Sequence, residues 1–366
     1  MSMKQQDKDA EDIRFGVELE TIIPIAAGIR VGNYHAGIPV ELAGVIIKTS
    51  GVRPDPGNPC GIGPILPEDC FLYSGLDAQG CPVNAFEVTE EAPHHRGKRW
   101  TAERDASIAP GIDKIRTHVP CEFVSPILSG EDGIRTVTDF ARFLSNVGAK
   151  VNATCGCHIT ISVESVIGTT DPLKVAHFMR KVVKVTRRHT LAVFGQTGTA
   201  RHLSKYCKPI PDRTLADVND MIRPSLDPIS ARAKNAADIC GRGMLNLTKV
   251  FSDSPRRSGL IEFRAFAGTL NADKLRHHIA TVFGIVRKAH TMRTTSGCVV
   301  PARGSETATE ALCVMWSDFG WTQAGGFGQS VALGLFGDLH ARFESSAREA
   351  HRLCEQFQKR FPASGL

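Results

Sequence analysis

The sequence lacks the features of a disulfide-stabilised or membrane-spanning protein. Its eleven cysteines are odd in number and include no Cys-x-x-Cys pair, which argues against a disulfide framework or a zinc knuckle. No apolar run approaches the length of a membrane span. The first ten residues, MSMKQQDKDA, are polar and lack the apolar core of a signal peptide. We therefore expect a reduced, soluble protein of the cytoplasm, with no membrane partner.

Common nucleotide-binding motifs are also absent. No Gly-x-x-x-x-Gly-Lys-Ser/Thr sequence occurs, so a P-loop is excluded as a phosphate site. The isolated Gly241-Arg-Gly is too short to indicate a dinucleotide-binding fold. The net charge of +6 favours anionic small molecules as partners but gives little support to nucleic acid.

The composition and the apolar periodicity of the sequence predict a globular α+β protein. Of the 366 residues, 42% are hydrophobic and 22% charged, which is typical of a protein with a substantial core. Residues 50–70 are dense in proline and glycine and predict an irregular loop. Asn271 is a predicted helix N-cap, and Thr307 with Glu310 predicts a capping box. Apolar periodicity predicts strands at 14–23, 150–164, 244–251 and 260–266, and helices after the Gly130–Gly133 turn and at 172–194, 273–292, about 305–317 and about 335–360.

The first predicted strand carries two carboxylates in an apolar setting. In Phe15-Gly-Val-Glu-Leu-Glu, Glu18 and Glu20 project to one face while Val17 and Leu19 project to the other. The two carboxylates lie about 6–7 Å apart by the rise of a strand. Either this face is in water or a positive group lies between the carboxylates. An ordinary amphipathic strand explains the hexapeptide by itself.

The same alternation recurs in the other predicted strands. Their apolar residues can pack on the long helices, which leaves one polar face for the sheet. Carboxylates, an imidazole and a guanidinium together are typical of a site for a divalent cation and phosphate. Each residue alone has a structural explanation, such as a buried core histidine or a surface ion pair. Taken together they favour a site made of Glu18, Glu20, Glu122, His158, Asn246, Glu262 and Arg264.

Five short motifs occur in the order Phe15-Gly-Val-Glu-Leu-Glu, Glu122-Phe-Val-Ser-Pro, Cys155-Gly-Cys-His-Ile-Thr-Ile, Leu245-Asn-Leu and Ile261-Glu-Phe-Arg-Ala-Phe-Ala-Gly-Thr-Leu. In sequence and order they resemble the amidoligases of the carboxylate–amine ligase superfamily, which includes glutamine synthetase and glutamate–cysteine ligase. The segment Trp100-Thr-Ala-Glu-Arg-Asp-Ala-Ser is similar to a further family element, and the resemblance spans roughly residues 14–290. One position departs from the family, because Thr160 stands where many members have a second histidine.

The resemblance implies a glutamine synthetase-like fold, a curved and mostly antiparallel sheet with helices on its convex face. It implies a catalytic domain over residues 1–296 and a helical C-terminal extension over 297–366 packed on it. The concave face would hold ATP and two or three Mg²⁺ or Mn²⁺ ions. The implied roles are one metal at Glu18, His158 and Glu262, a second at Glu20 and Glu122, catalysis by Arg264 and Glu122, and contacts to ATP by Arg264 and Asn246. Arg201, in the polar stretch that begins at Thr197, is a candidate contact to phosphate or substrate, and a loop arginine without such a role is the alternative.

The implied reaction is amide formation from a carboxylate and an amine. ATP would phosphorylate the carboxylate to an acyl phosphate, which the amine then attacks. Two alternatives stay open. One is a metal-dependent hydrolase or phosphotransferase that uses the same cluster, and the other is a non-catalytic nucleotide-binding module. The sequence names neither the carboxylate, a small molecule or a peptide, nor the amine.

Overall fold

The fold is known from a computed structural model. It describes residues 13–24, 71–73, 86–89, 100–105, 107–111, 117–211, 214, 243–251, 258–292, 307–319 and 340–362. The predicted loop at 50–70 lies outside the described residues. Among those residues, no helix has the length and apolar character needed to cross a membrane.

Nine strands of the described part form one open sheet. The strand order is β2-β3-β4-β5-β1-β7-β9-β8, and β6 pairs with β1. Every pairing is antiparallel except β3 with β4. The predicted α+β class with a mostly antiparallel sheet is confirmed. The strands are β1 (Arg14–Pro24), β2 (Phe71–Tyr73), β3 (Phe86–Thr89), β4 (Trp100–Arg104), β5 (His118–Val124), β6 (Leu128–Ser129), β7 (Gly156–Ser162), β8 (Leu245–Asn246) and β9 (Leu260–Ala267).

Seven α-helices and one 3₁₀ turn, Arg201–Leu203, accompany the sheet in the described residues. Both predicted helix starts have the expected chemistry. The Asn271 side chain accepts a hydrogen bond from the Lys274 N–H at 2.9 Å, and Thr307 with Glu310 forms a capping box. The helices are α1 (Gly130–Asn146), α2 (Val163–Ile167), α3 (Pro172–Arg188), α4 (Thr190–Gly195), α5 (Ala272–Thr291), α6 (Ala308–Asp318) and α7 (His340–Arg360).

The apolar face of the strands packs on the helices. The Trp100 ring of β4 stacks on Phe140 of α1 with the ring centroids 3.7 Å apart. Phe15 of β1 meets Phe283 of α5 edge to face at 5.3 Å. Because strand side chains alternate, this burial commits every second residue to the core and leaves the polar set on the opposite face. The same apolar cluster contains Val17, Leu19, Ile159, Ile161, Phe263, Val137 and Val182.

Several predicted boundaries were wrong. The helix at 172–194 is interrupted at His189, where the Thr190 hydroxyl hydrogen-bonds to helix carbonyls and the His189 ring lies 3.0 Å from Asp318. The first helix begins at Gly130, so the predicted turn is its first turn. The strand predicted at 150–164 is limited to β7.

The predicted strand at 244–251 ends after two residues, at Asn246. The Asn246 side-chain oxygen accepts hydrogen bonds from the Thr248 N–H at 3.0 Å and the Thr248 hydroxyl at 2.8 Å. Such a local bond offers the backbone a turn in place of a ladder. The turn carries Lys249 back towards the polar face of the sheet.

Candidate active site

Strand register brings the predicted site residues to one face of the sheet. Glu18 of β1 pairs with His158 of β7, and Glu20 pairs with Glu122 of β5. On the other side, Glu262 of β9 pairs with Asn246 of β8. Residues directly opposite each other in a ladder project to the same side of the sheet. Motifs far apart in the chain therefore meet in a single polar cluster.

A β-bulge lies at the centre of this cluster. Cys157 pairs with Phe266 and Ile159 with Phe263, so two residues of β9 stand opposite His158. One of them is Arg264. A bulge inserts an extra residue and re-aims the side chains beside it. The regular pairs of Ile159 with Phe263 and Thr160 with Glu262 already place Glu262 and Arg264 on the polar face beside His158. The extra residue lets Phe266, three residues after Phe263, return to the apolar core.

The imidazole of His158 lies among three carboxylates. Its Nδ1 is 3.0 Å from Glu18 Oε2 and 3.7 Å from Glu262 Oε1, and its Nε2 is 3.2 Å from Glu20 Oε1. All four residues are buried. Glu18, His158 and Glu262 each offer one ligand atom, and these three atoms lie within 4.8 Å of one another. Two buried carboxylates and an imidazole at this separation fit a divalent cation.

Three groups compensate the charge of Glu262. Lys249 Nζ lies 3.0 Å from Glu262 Oε2, Arg264 Nη1 lies 2.7 Å from Oε1, and Asn246 Nδ2 donates to Oε2 at 2.8 Å. Burial and the charge of Glu18 would raise the pKa of Glu262, but Lys249, Arg264 and His158 outweigh them and lower it. Glu262 therefore stays ionised inside the protein.

The pKa of Glu122 is shifted in the opposite direction to that of Glu262. Burial of its carboxyl raises its pKa well above the usual value, and so do the charge of Glu18, a hydrogen bond to it, and the charges of Glu20 and Asp105. Burial is the largest cause of the raised pKa and the neighbouring carboxylates add to it, so several acidic groups share a buried setting at this end of the cluster.

Arg201 approaches the cluster from the 3₁₀ turn. It is buried, and its Nη1 donates to the Cys155 carbonyl at 3.5 Å. Its guanidinium lies over Gly156, where a Cβ would overlap it and would also lie 2.8 Å from His158 Nε2. The Gly156 N–H donates to Glu20 Oε2 at 2.5 Å. The glycine thus gives Arg201 access to the histidine.

Three residues of this site were not predicted. Lys249 had no signal, because it reaches the cluster only through the turn that follows Asn246. Asp105 belongs to the Trp100 segment, whose Asp-x-Ser spacing was the available signal, and its side chain accepts from the Ser107 N–H at 2.7 Å. Gly156 stands two residues before His158, on the same strand face. All eight predicted site residues lie in the described part of the chain, and Arg201 joins the other seven.

Comparison with known proteins agrees with the motifs. The sequence pattern of a protein family described as "Putative amidoligase enzyme" matches residues 11–286 of this chain. The chain belongs to this amidoligase family. The match includes every site residue named above and ends within α5, so α6 and α7 lie beyond it.

The other comparisons add little to this result. A bifunctional glutathione synthetase from Pasteurella multocida is similar in structure, with a TM-score of 0.34 and 10% sequence identity. The similarity covers 99% of this chain and 51% of that protein, so the chain spans about half of its length. A TM-score this low supports no argument about fold or function. No protein of curated function matches the sequence.

Proposed function

We propose that the protein is an ATP-dependent carboxylate–amine ligase that uses Mg²⁺ or Mn²⁺ and releases ADP. The observation that carries the proposal is the buried group of Glu18, His158 and Glu262, with ligand atoms within 4.8 Å of one another, in a chain of the amidoligase family. The proposed fold is glutamine synthetase-like, with the polar cluster on the concave face of the sheet.

The chain's own residues would hold two or three ions. Glu18, His158 and Glu262 would hold one, and Glu20 with Glu122 a second. The oxygen-rich donor set favours Mg²⁺ or Mn²⁺ over zinc. Bound there, the ions would offset the repulsion between a substrate carboxylate and the triphosphate. The setting of Glu122 supports the fit, because a bound cation would offset both the burial and the neighbouring carboxylates that raise the pKa of Glu122.

The basic residues would act on the phosphates. Arg264 is fixed by its 2.7 Å ion pair with Glu262, and its guanidinium would stabilise the phosphoryl oxygens as charge shifts onto them. Arg201 and Asn246 would help to bind ATP. Positively charged side chains that are already fixed in a buried site need little rearrangement during the reaction. They stabilise the transition state more strongly for that reason.

The proposed chemistry has two steps. A substrate carboxylate oxygen attacks the γ-phosphorus of ATP, and the bond from that phosphorus to the β-bridging oxygen breaks, which gives an acyl phosphate and ADP. The amine nitrogen then attacks the acyl carbon, loses a proton, and expels inorganic phosphate. The buried face would protect the acyl phosphate from water.

The division into residues 1–296 and 297–366 belongs to the same proposal, as does a reducing, cytoplasmic location. Cys155, Cys157, Cys207 and Cys354 are free thiols, and burial raises the pKa of Cys157 to about 12, which favours its protonated form at neutral pH. These observations are compatible with a compartment in which thiols remain reduced.

Phosphorus NMR of a complete reaction tests the proposal. ATP should be screened against amino acids, peptides and small polyamines, and ADP with phosphate should form only when both an acid and an amine are present. Release of AMP and pyrophosphate would assign the protein to an adenylating class. Turnover of a phosphate ester without ATP would favour the hydrolase alternative.

A further inference from the structure

The segment from Gly195 to Arg201 connects the outer helices to the site. It leaves the end of α4, passes through Gly198, whose φ of 63° is left-handed, and enters the 3₁₀ turn. Arg201 projects from this turn over Gly156. The next residue, His202, is also buried, and it faces a different neighbour.

The neighbour of His202 is the C-terminal helix α7. The His202 ring lies edge-on to Phe357 of α7 at 5.4 Å and to Phe361, the residue after α7, at 5.6 Å. It also meets Phe194 of α4 at 5.9 Å. The His202 ring is thus enclosed by three phenyl groups. Its Nδ1 has no hydrogen-bond partner, so the contact is one of packing.

Other residues of α7 fit closely along the same segment. A Cβ at Gly198 would lie 2.9 Å from Leu353 Cδ2, and one at Gly195 would lie 3.2 Å from Cys354 Sγ. Leu353 and Cys354 are fully buried. Two glycines therefore allow α7 to lie directly on the backbone that leads to Arg201.

The hydrogen bonds of Arg201 do not by themselves explain its position. Its Nε has no partner, its bond to the Cys155 carbonyl is long at 3.5 Å, and a further side-chain bond joins it to the Cys207 thiol, a weak hydrogen-bonding group. A long arginine side chain loses conformational entropy when it is fixed in one position. Since its own bonds are weak, the position of the guanidinium depends on the backbone of the turn, which the packing against α7 holds.

We propose that α7, which lies beyond the family match, positions Arg201 in the site, and that His202 is the positioning residue through which it acts. The proposal goes beyond the proposed function in assigning this task to the C-terminal helix. It rests on that function only where Arg201 is taken to contact ATP. A loosened turn would leave the metal-binding carboxylates in place and move the guanidinium away from them.

His202→Ala and His202→Phe test the proposal. Alanine removes the ring that α7 holds, whereas phenylalanine keeps its shape and apolar contacts. Phe178→Leu, a buried change in α3, serves as a control for general loss of stability. The first readout is the rate at which phenylglyoxal modifies Arg201, followed by peptide mass spectrometry, because this readout needs no substrate. Modification should be severalfold faster in His202→Ala and unchanged in His202→Phe and Phe178→Leu.

The second readout is a double-mutant cycle with Arg201→Met on kcat/KM for ATP. His202→Ala should lower kcat/KM by up to about 10²-fold, as for a misplaced binding group, and should have little further effect beside Arg201→Met. Unchanged labelling of Arg201 in His202→Ala would overturn the proposal, and so would additive losses in the cycle. Faster labelling of Arg201 in His202→Ala, together with full activity of Arg201→Met, would support the positioning of Arg201 by α7 and overturn its contact with ATP.

Discussion

Glu18 and His158 stand directly opposite each other on neighbouring strands, with Glu18 Oε2 3.0 Å from His158 Nδ1. The two residues are 140 positions apart in the chain. Because strand side chains alternate, a slip of one residue between β1 and β7 would turn one partner into the core. The burial of Val17, Leu19 and Ile159 fixes the register, so the apolar core determines the geometry of the site.

Arg264→Lys should separate transition-state stabilisation from binding. Lysine keeps the charge but loses the planar fork that grips a phosphoryl group. We expect normal folding, metal and ATP affinity near that of the parent, and turnover lower by about 10²–10³-fold. Arg276→Lys is the control, because Arg276 is similarly buried in an ion pair with Glu131, 2.6 Å away. If Arg264→Lys kept the turnover of the parent, Arg264 would have no role in stabilising the transition state.

Gly156→Ala should disturb the site without changing any charge. The added Cβ would overlap the Arg201 guanidinium and approach His158 Nε2 to 2.8 Å. We expect weaker ATP binding and faster phenylglyoxal modification of Arg201. Gly16→Ala is the matched control in β1, since its Cβ would meet only Ser125 Oγ, at an ordinary 3.7 Å. Equal effects of the two substitutions would contradict the close contact of Arg201 with Gly156.

Lys249→Met should strengthen metal binding. The Lys249 ammonium lies 3.0 Å from Glu262 and 3.9 Å from Glu18, so it repels a cation bound between these carboxylates. Titration with Mn²⁺ near neutral pH, followed by electron paramagnetic resonance, should give a lower Kd than for the parent. Lys181→Met, at a lysine that donates to the Met292 carbonyl, should leave it unchanged. A higher Kd in Lys249→Met would mean that Lys249 organises the ligands.

Stability should fall as the pH is lowered from about 6.5 towards 4 because of His277. Burial lowers the pKa of His277 from 6.5 to about 4. In that interval the unfolded chain takes up a proton that the folded chain refuses, so acid favours unfolding. The free energy of unfolding, measured with urea, should change less between pH 7 and pH 5 in His277→Gln than in the parent. The exposed His177→Gln is the control, and an unaltered difference in His277→Gln would refute the assignment.

The sequence was most informative where burial forces alternation. One apolar face in β1, β7 and β9 leaves only one side for Glu18, His158 and Glu262, so their shared face could be predicted without coordinates. The ends of elements were less predictable, because they depend on side-chain bonds. The Asx turn at Asn246 shortens β8, and the bonds of Thr190 interrupt the long helix.

Contacts through turns were the least predictable part of the site. Lys249 reaches Glu262 only because β8 ends where it does, and Arg201 reaches Gly156 only because the 3₁₀ turn lies against α7. Neither contact follows a helix or strand period, which is the main signal that a single sequence offers. The β-bulge opposite His158 is likewise a property of the pairing between two strands.

Calorimetry of ATP binding tests the central claim most directly, that the carboxylates around His158 hold a divalent ion required for nucleotide binding. The parent, Glu262→Gln and the control Glu164→Gln, an exposed partner of Arg14, would each be titrated with ATP in Mg²⁺ and in EDTA. We expect the parent and Glu164→Gln to bind ATP in Mg²⁺ and lose binding in EDTA, and Glu262→Gln to bind weakly in both. Tight binding by the parent that is undiminished in EDTA would contradict the account.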